Sequence, residues 1–222
     1  MISKLPRWVW LCAWILAFIA GMVNIVGLLG FQHQAITHLT GNTSMLAGAL
    51  AVLDWPAILR FAATIGSFIA GTALSGFIIQ DSTLQLGRRY GVALFLEAVF
   101  LSLAVPLLNH RNVCGLYAAA CACGLQNAMA STYSGTVVRT THVSGMFTDL
   151  GIFLGHALRG LPVDVKRLRM CVLVISGFLC GGIAGALAFR FIGFSTLFIP
   201  AGLTATASLS YAFYLIRLKP PV

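Results

Sequence analysis

The sequence predicts an all-α, polytopic membrane protein of six transmembrane helices and two short re-entrant helices, arranged as two inverted repeats. Three observations predict it: too little charge for a water-facing surface, apolar runs of two distinct lengths, and a pair of matching polar landmarks half a chain apart. The 222 residues are 59% hydrophobic and only 9% charged, against about 25% charged in an ordinary soluble domain. Lipid is the solvent that tolerates such a surface, so the lipid bilayer is the first partner. The net charge of +9 would raise nucleic acid as a partner in a soluble chain. Here the basic residues fall in short loops between apolar runs, the pattern of membrane orientation and anionic headgroups, and nucleic acid is not expected.

The apolar runs cover about 8–30, 43–53, 57–79, 91–109, 113–137, 146–158, 168–189 and 194–216. A helical span takes about 20 residues. Six runs are long enough, and 43–53 and 146–158 are not. The first run follows Lys4 and Arg7 and is too long for the apolar core of a secretory signal, about 7–15 residues, so it is expected to be a retained first span. All 222 residues form a single membrane domain.

The two short runs are introduced by related sequences. Thr37-His38-Leu39-Thr40-Gly41 precedes the first, and Thr141-His142-Val143-Ser144-Gly145 precedes the second. Upstream, Gly21-Met22-Val23-Asn24 is answered by Gly124-Leu125-Gln126-Asn127. Downstream, Ser67, Gly71 and Ser75 recur as Gly177, Gly181 and Gly185. Three landmarks in one order predict internal repeats of 1–110 and 111–222. If each short element turns back, each repeat crosses three times and the second is inverted, a transporter architecture. If each crosses, the chain has eight crossings and parallel repeats. With six crossings and cytoplasmic termini, 11 of the 14 basic residues lie inside; with eight, 10 do. The positive-inside rule tilts slightly toward six.

Candidate chemistry gathers at these landmarks. Thr, Asn and Ser are favoured helix N-caps, and Gly permits the tight backbone before one, so Thr40-Gly41-Asn42-Thr43-Ser44 is expected to start a short helix. Its first-turn N–H groups and dipole suit a small polar or anionic solute. Ser144 and Gly145 repeat the device with Met146 and Phe147 in place of the polar pair. His38 and His142 stand before both starts and can hold a solute or a proton, or simply bond a nearby carbonyl. Asn24, Gln126 and Asn127 are span-end amides that bind solute or bridge helices. Of the five acids, Glu97 and Asp149 fall inside apolar elements, where ionisation costs about 2.5–3.5 kcal/mol on insertion scales. They are the candidates for proton coupling, although Glu97 could instead reach toward Arg88 or Arg89. Asp54, Asp81 and Asp164 lie near element ends, and His33 in the polar stretch Gln32–Gln34. Pro106 and Pro200 are expected to kink equivalent spans.

Cys121 and Cys123 point to different helix faces, so no metal site is expected. No catalytic motif or phosphate-binding loop is present, and neither an enzyme nor a cofactor is expected. Two function classes remain. One is a permease or channel for a small polar or anionic solute, with Thr40, Gly41, Asn42, His38, His142, Ser144, Gly145, Asn24, Gln126 and Asn127 on its path. The other is a non-transporting scaffold or assembly partner, compatible with a homo-oligomer and motivated by the small-residue faces.

At Gly21-Met22-Val23-Asn24-Ile25-Val26-Gly27, Phe31 and Thr40-Gly41-Asn42, continuing through Gly124-Leu125-Gln126-Asn127, the chain resembles the YoaK-like family of uncharacterised bacterial inner-membrane proteins. The likeness spans nearly the whole chain. It implies a multi-pass protein of the bacterial plasma membrane with about six spans, and brings no substrate with it. Many members have an Asp where this chain has Asn24, so a proton-carrying role at that position does not carry over.

Overall fold

The computed structural model describes residues 7–79, 88–135 and 138–217; Lys4, Asp81 and Lys219 lie outside them. Among the described residues the chain is helical, with no strand. Its helices are α1 (Arg7–Leu29), α2 (Leu39–Ala51), α3 (Trp55–Ile79), α4 (Arg88–Asn109), α5 (Cys114–Ser134), α6 (Val143–Leu158), α7 (Val165–Ile192) and α8 (Phe198–Arg217), with a 3₁₀ turn at Gly193–Leu197 before the last.

Local chemistry sets several boundaries. Asp54 Oδ1 accepts from the Ala57 N–H at the start of α3. Asp164 Oδ1 accepts from the Lys166 and Arg167 N–H groups at the start of α7. Both acids thus cap helices, as Asp does best. His33, in the left-handed region, turns Nδ1 onto the Leu28 carbonyl at 3.1 Å. α5 stops at Gly135, whose φ of 59° is one that glycine adopts without steric cost. Pro200 sits in the first turn of α8, where a missing N–H costs nothing. It therefore starts its helix rather than kinking it, whereas Pro106 lies inside α4.

Four segments are long and apolar enough to cross a membrane: Trp8–Leu29, Trp55–Ile79, Arg89–Asn109 and Val165–Phe213, the last holding both α7 and α8. α5 has the length for a span but is less apolar. Gln126, Asn127 and its hydroxyls account for this, and the helix is the most enclosed of the bundle. Large apolar side chains face outward on most helices, among them Leu11, Leu59, Phe77, Leu179 and Phe191. A bundle bathed in hydrocarbon has this surface.

Helix directions follow from a few contacts. The Trp8 ring lies 5.5 Å from that of Tyr133, so the start of α1 meets the end of α5 and the two run antiparallel. Ser208 Oγ donates to the Gly91 carbonyl at 2.8 Å, so the end of α8 meets the start of α4. α1 and α7 run parallel, with Trp14 level with Gly177 and Met22 with Gly185. The face where α1 begins is called proximal below, and the opposite face distal.

Glycines let the helices approach backbone to backbone. A Cβ on Gly21 would fall 2.0 Å from the Phe178 carbonyl oxygen, and one on Gly181 1.9 Å from that of Phe18. The α3–α5 seam has the same pair. A Cβ on Gly124 would meet the Phe68 oxygen at 2.1 Å, and one on Gly71 the Cys121 oxygen at 2.0 Å. Gly21 and Gly124 are the matched landmarks of the sequence, as are Gly71 and Gly181. The interior divides into a proximal apolar cluster around Val9, Tyr90, Met129 and Val174 and a distal one around Val26, Leu101, Leu108 and Leu116.

Candidate functional site

The loop before each short helix is anchored on an amide inside the bundle. After α1 the chain turns back, and Thr37 donates its N–H and its hydroxyl to Asn24 Oδ1 at 3.0 and 2.9 Å. Asn24 is five residues before the end of α1, about 7 Å inside it at 1.5 Å per residue. Gln34 Nε2 donates to Thr64 Oγ1 at 2.8 Å, and Asn42 Nδ2 holds the Ala35 carbonyl at 2.9 Å. Arg60 donates to Gln32. α2 begins at Leu39, with His38 rather than Thr40 or Asn42 at the N-cap. The His38 ring lies over Gly41, where any Cβ would meet it. Thr43 and Ser44 return their hydroxyls to carbonyls of their own helix.

The second loop repeats this with other residues. Thr140 Oγ1 donates to Gln126 Oε1 at 3.2 Å, eight residues and about 12 Å inside the end of α5. His142 is the N-cap residue of α6, and its ring lies over Gly145. His38, Thr40, His142 and Ser144 are exposed at the protein's surface. α2 packs on α3, and α6 on α7. Thus Asn24, Thr37 and Asn42 form one group and Gln126 and Thr140 another. Among the described residues, no hydrogen bond joins the two groups.

Glu97 lies between the proximal and distal clusters on α4, 1% exposed. Its neighbours are the amide of Gln126 and the thiol of Cys123 on α5. Glu97 Oε2, Gln126 Nε2 and Asn127 Oδ1 are all buried with no protein partner. Buried polar atoms are usually paired, so two on neighbouring side chains, Glu97 and Gln126, mark a specialised place. Burial beside Gln126 replaces the expectation that Glu97 snorkels toward Arg88 or Arg89. Asp149 is different in kind. It receives both hydrogen bonds from Arg167 Nη2 at 3.0 Å, near the proximal surface, where the two side chains are 23% and 53% exposed.

A cavity of about 540 Å³ reaches from the proximal face toward this centre. α1 and α8 are splayed there, with Ile15, Leu16 and Ile19 on one wall and Leu203 and Ala207 on the other. Trp8, Tyr90, Tyr133 and Tyr211 stand at its mouth, and Leu94 and Met129 at its inner end. Glu97 is one turn beyond Leu94, and Gln126 one turn beyond Met129. Neither Glu97 nor Gln126 lines the cavity; each stands one helical turn along its own helix from a residue that does.

Sequence reasoning found Glu97, Gln126 and Asn127 but missed Thr140, Gln34, Thr64 and the aromatic mouth. Trp and Tyr at span ends form a recognised interfacial belt, and that signal pointed to the mouth. Nothing in the sequence distinguishes Gln34 or Thr64 from other loop and span residues.

Long apolar helices, outward-facing hydrocarbon and a buried polar centre define a helical membrane protein. A family model described as a protein of unknown function, DUF1275, matches residues 12–210, and the chain belongs to that family. No curated protein and no solved structure matches it.

Proposed function

We propose that the protein is a permease for an anionic solute, built from two inverted repeats of three crossings and one re-entrant helix, with Glu97 carrying a coupled proton. The observation that carries this reading is the cavity opening at one face, whose lining residues Leu94 and Met129 each stand one turn from the buried Glu97–Gln126 pair. An acid in that position is a functional residue by default in a membrane interior. The antiparallel course of α1 and α5, the first helices of the two halves, favours inversion. So do the reciprocal glycine contacts, which relate α1–α7 to α5–α3.

The same relation suggests how access alternates. The open α1–α8 seam at the proximal face corresponds to the α5–α4 seam at the distal face. There Leu101, Leu108, Leu116 and Ala119 close the packing. Exchanging the two states would expose Glu97 to the other side. The proximal face also collects the basic positions at Arg89, Arg139, Arg159, Lys166, Arg167 and Arg169. By the positive-inside rule this favours a cytoplasmic proximal face, with both termini on that side of a bacterial plasma membrane.

The test is proton flux in proteoliposomes. A weak-acid solute gradient should drive proton movement in the wild type. Glu97→Gln, which keeps the size and loses the proton, should abolish it while the protein purifies with unchanged thermal stability. Normal flux in Glu97→Gln would remove the acid from the mechanism. A second reading is a membrane scaffold or homo-oligomer, favoured by Gly151 and Gly155 on the outer face of α6, with open space over both. Cysteine cross-linking across that face in native membranes would reveal it.

A further inference from the structure

We infer that the α1–α8 cleft is a binding site for the alkyl chain of an anionic single-chain amphiphile, the head lying at the proximal mouth. The cleft is lined almost wholly by hydrocarbon, so a compact polar solute would gain nothing along its length. From Trp8 to Ile19 it follows eleven residues of α1, about 16 Å at 1.5 Å per residue. An extended alkyl chain advances about 1.25 Å for each bond of about 1.5 Å, so roughly a dozen carbons match that length. The volume of about 540 Å³ lies within the usual range for small-molecule sites, about 300–1,000 Å³.

The two ends of the cleft differ as the two ends of such a molecule do. The mouth carries the Tyr90, Tyr133 and Tyr211 rings, the Ser210 hydroxyl and the Trp8 indole, groups suited to a headgroup boundary. Arg139 follows the lining residue Val138 and is exposed. Among the described residues, no Asp or Glu lines the cleft. This charge pattern selects an anion over a cation or a neutral head. The cleft is open along one side, where Cys12, Ala207 and Ser210 are exposed, so a molecule dissolved in the bilayer can enter sideways.

This assignment names the substrate class of the proposed permease, but it concerns occupancy and does not require that the occupant be moved. The test uses the purified full chain in nanodiscs of neutral lipid, with Cys12 kept as the single cysteine. Its alkylation rate is measured against added palmitate, anionic lysophosphatidylglycerol, neutral monopalmitin and acetate. Palmitate or lysophosphatidylglycerol should protect Cys12 saturably, and whichever binds more tightly identifies a free fatty acid or a lysolipid as the source. Monopalmitin should bind at least tenfold more weakly, and acetate should have no effect. Direct binding of radiolabelled palmitate should be lost in Ala207→Trp, which fills the cleft from its open side. It should persist in Leu187→Trp, on an exposed face of α7. Equal protection by the neutral chain, no saturable protection by either anion, or unchanged binding in Ala207→Trp would each overturn the assignment. Binding without proton flux would leave it standing and count only against the permease.

Discussion

At the scale of single residues, the decisive groups are those with no room and those with no partner. Gly21, Gly71, Gly124 and Gly181 leave a neighbouring carbonyl about a carbon's width from where Cβ would sit. Gly181→Ala should therefore push α1 and α7 apart, at the roughly 1–3 kcal/mol typical of overpacking. Gly182→Ala is the matched control. Nothing lies within 4 Å of that position, and replacing a mid-helix glycine there should be neutral or stabilise by about 0.5–1 kcal/mol. Thermal unfolding in detergent checks both. Equal melting temperatures for the two variants would mean that the helix seam yields more easily than its geometry suggests. Glu97 was visible in the sequence because an acid within an apolar run is anomalous on its face. Its burial against Gln126 was not, because that depends on how α4 and α5 are rotated, which no local pattern encodes.

At the scale of elements, the two short helices were legible as a related pair, and their starts were misplaced by only one to three residues. The reason for the shift is physical. Thr40, Asn42 and Ser144 are good caps in water, but here Asn42 is occupied with the Ala35 carbonyl and the histidines take the cap position. Asp149 was legible as an acid in an apolar element. Its partner Arg167 lies on the next helix and could not be read from spacing. An ion pair this exposed is worth about 0–1 kcal/mol. Asp149→Asn should therefore unfold within a few degrees of the wild type and retain its proton flux, separating it from Glu97→Gln in the same proteoliposome assay. Loss of flux in Asp149→Asn would move the coupling site to the α6–α7 corner.

For the whole molecule, the two crossing schemes that charge counting barely separates differ in where they put the loops. If the short helices turn back, the α4–α5 loop and the α6–α7 loop lie on opposite sides of the membrane; if they cross, both lie on one side. His110→Cys and Leu161→Cys, in a chain otherwise free of cysteine, should label from opposite sides with a membrane-impermeant thiol reagent. Labelling from the same side would dismantle the inverted arrangement and the alternation derived from it.

The glycine seam between α1 and α7 also has a bearing on how the chain is made. Gly21 meets its partner carbonyl at Phe178, 157 positions later, whereas Phe68 meets Gly124 after 56. At a synthesis rate of about 5–20 residues per second, about 8–30 s separate the translation of Gly21 from that of its partner. During that interval its bare glycine face is turned to lipid or to an insertion factor. The second seam, between neighbours in synthesis, closes well before. Biogenesis is thus asymmetric between two seams of matching glycine geometry, and the first helix depends longest on help from the insertion machinery.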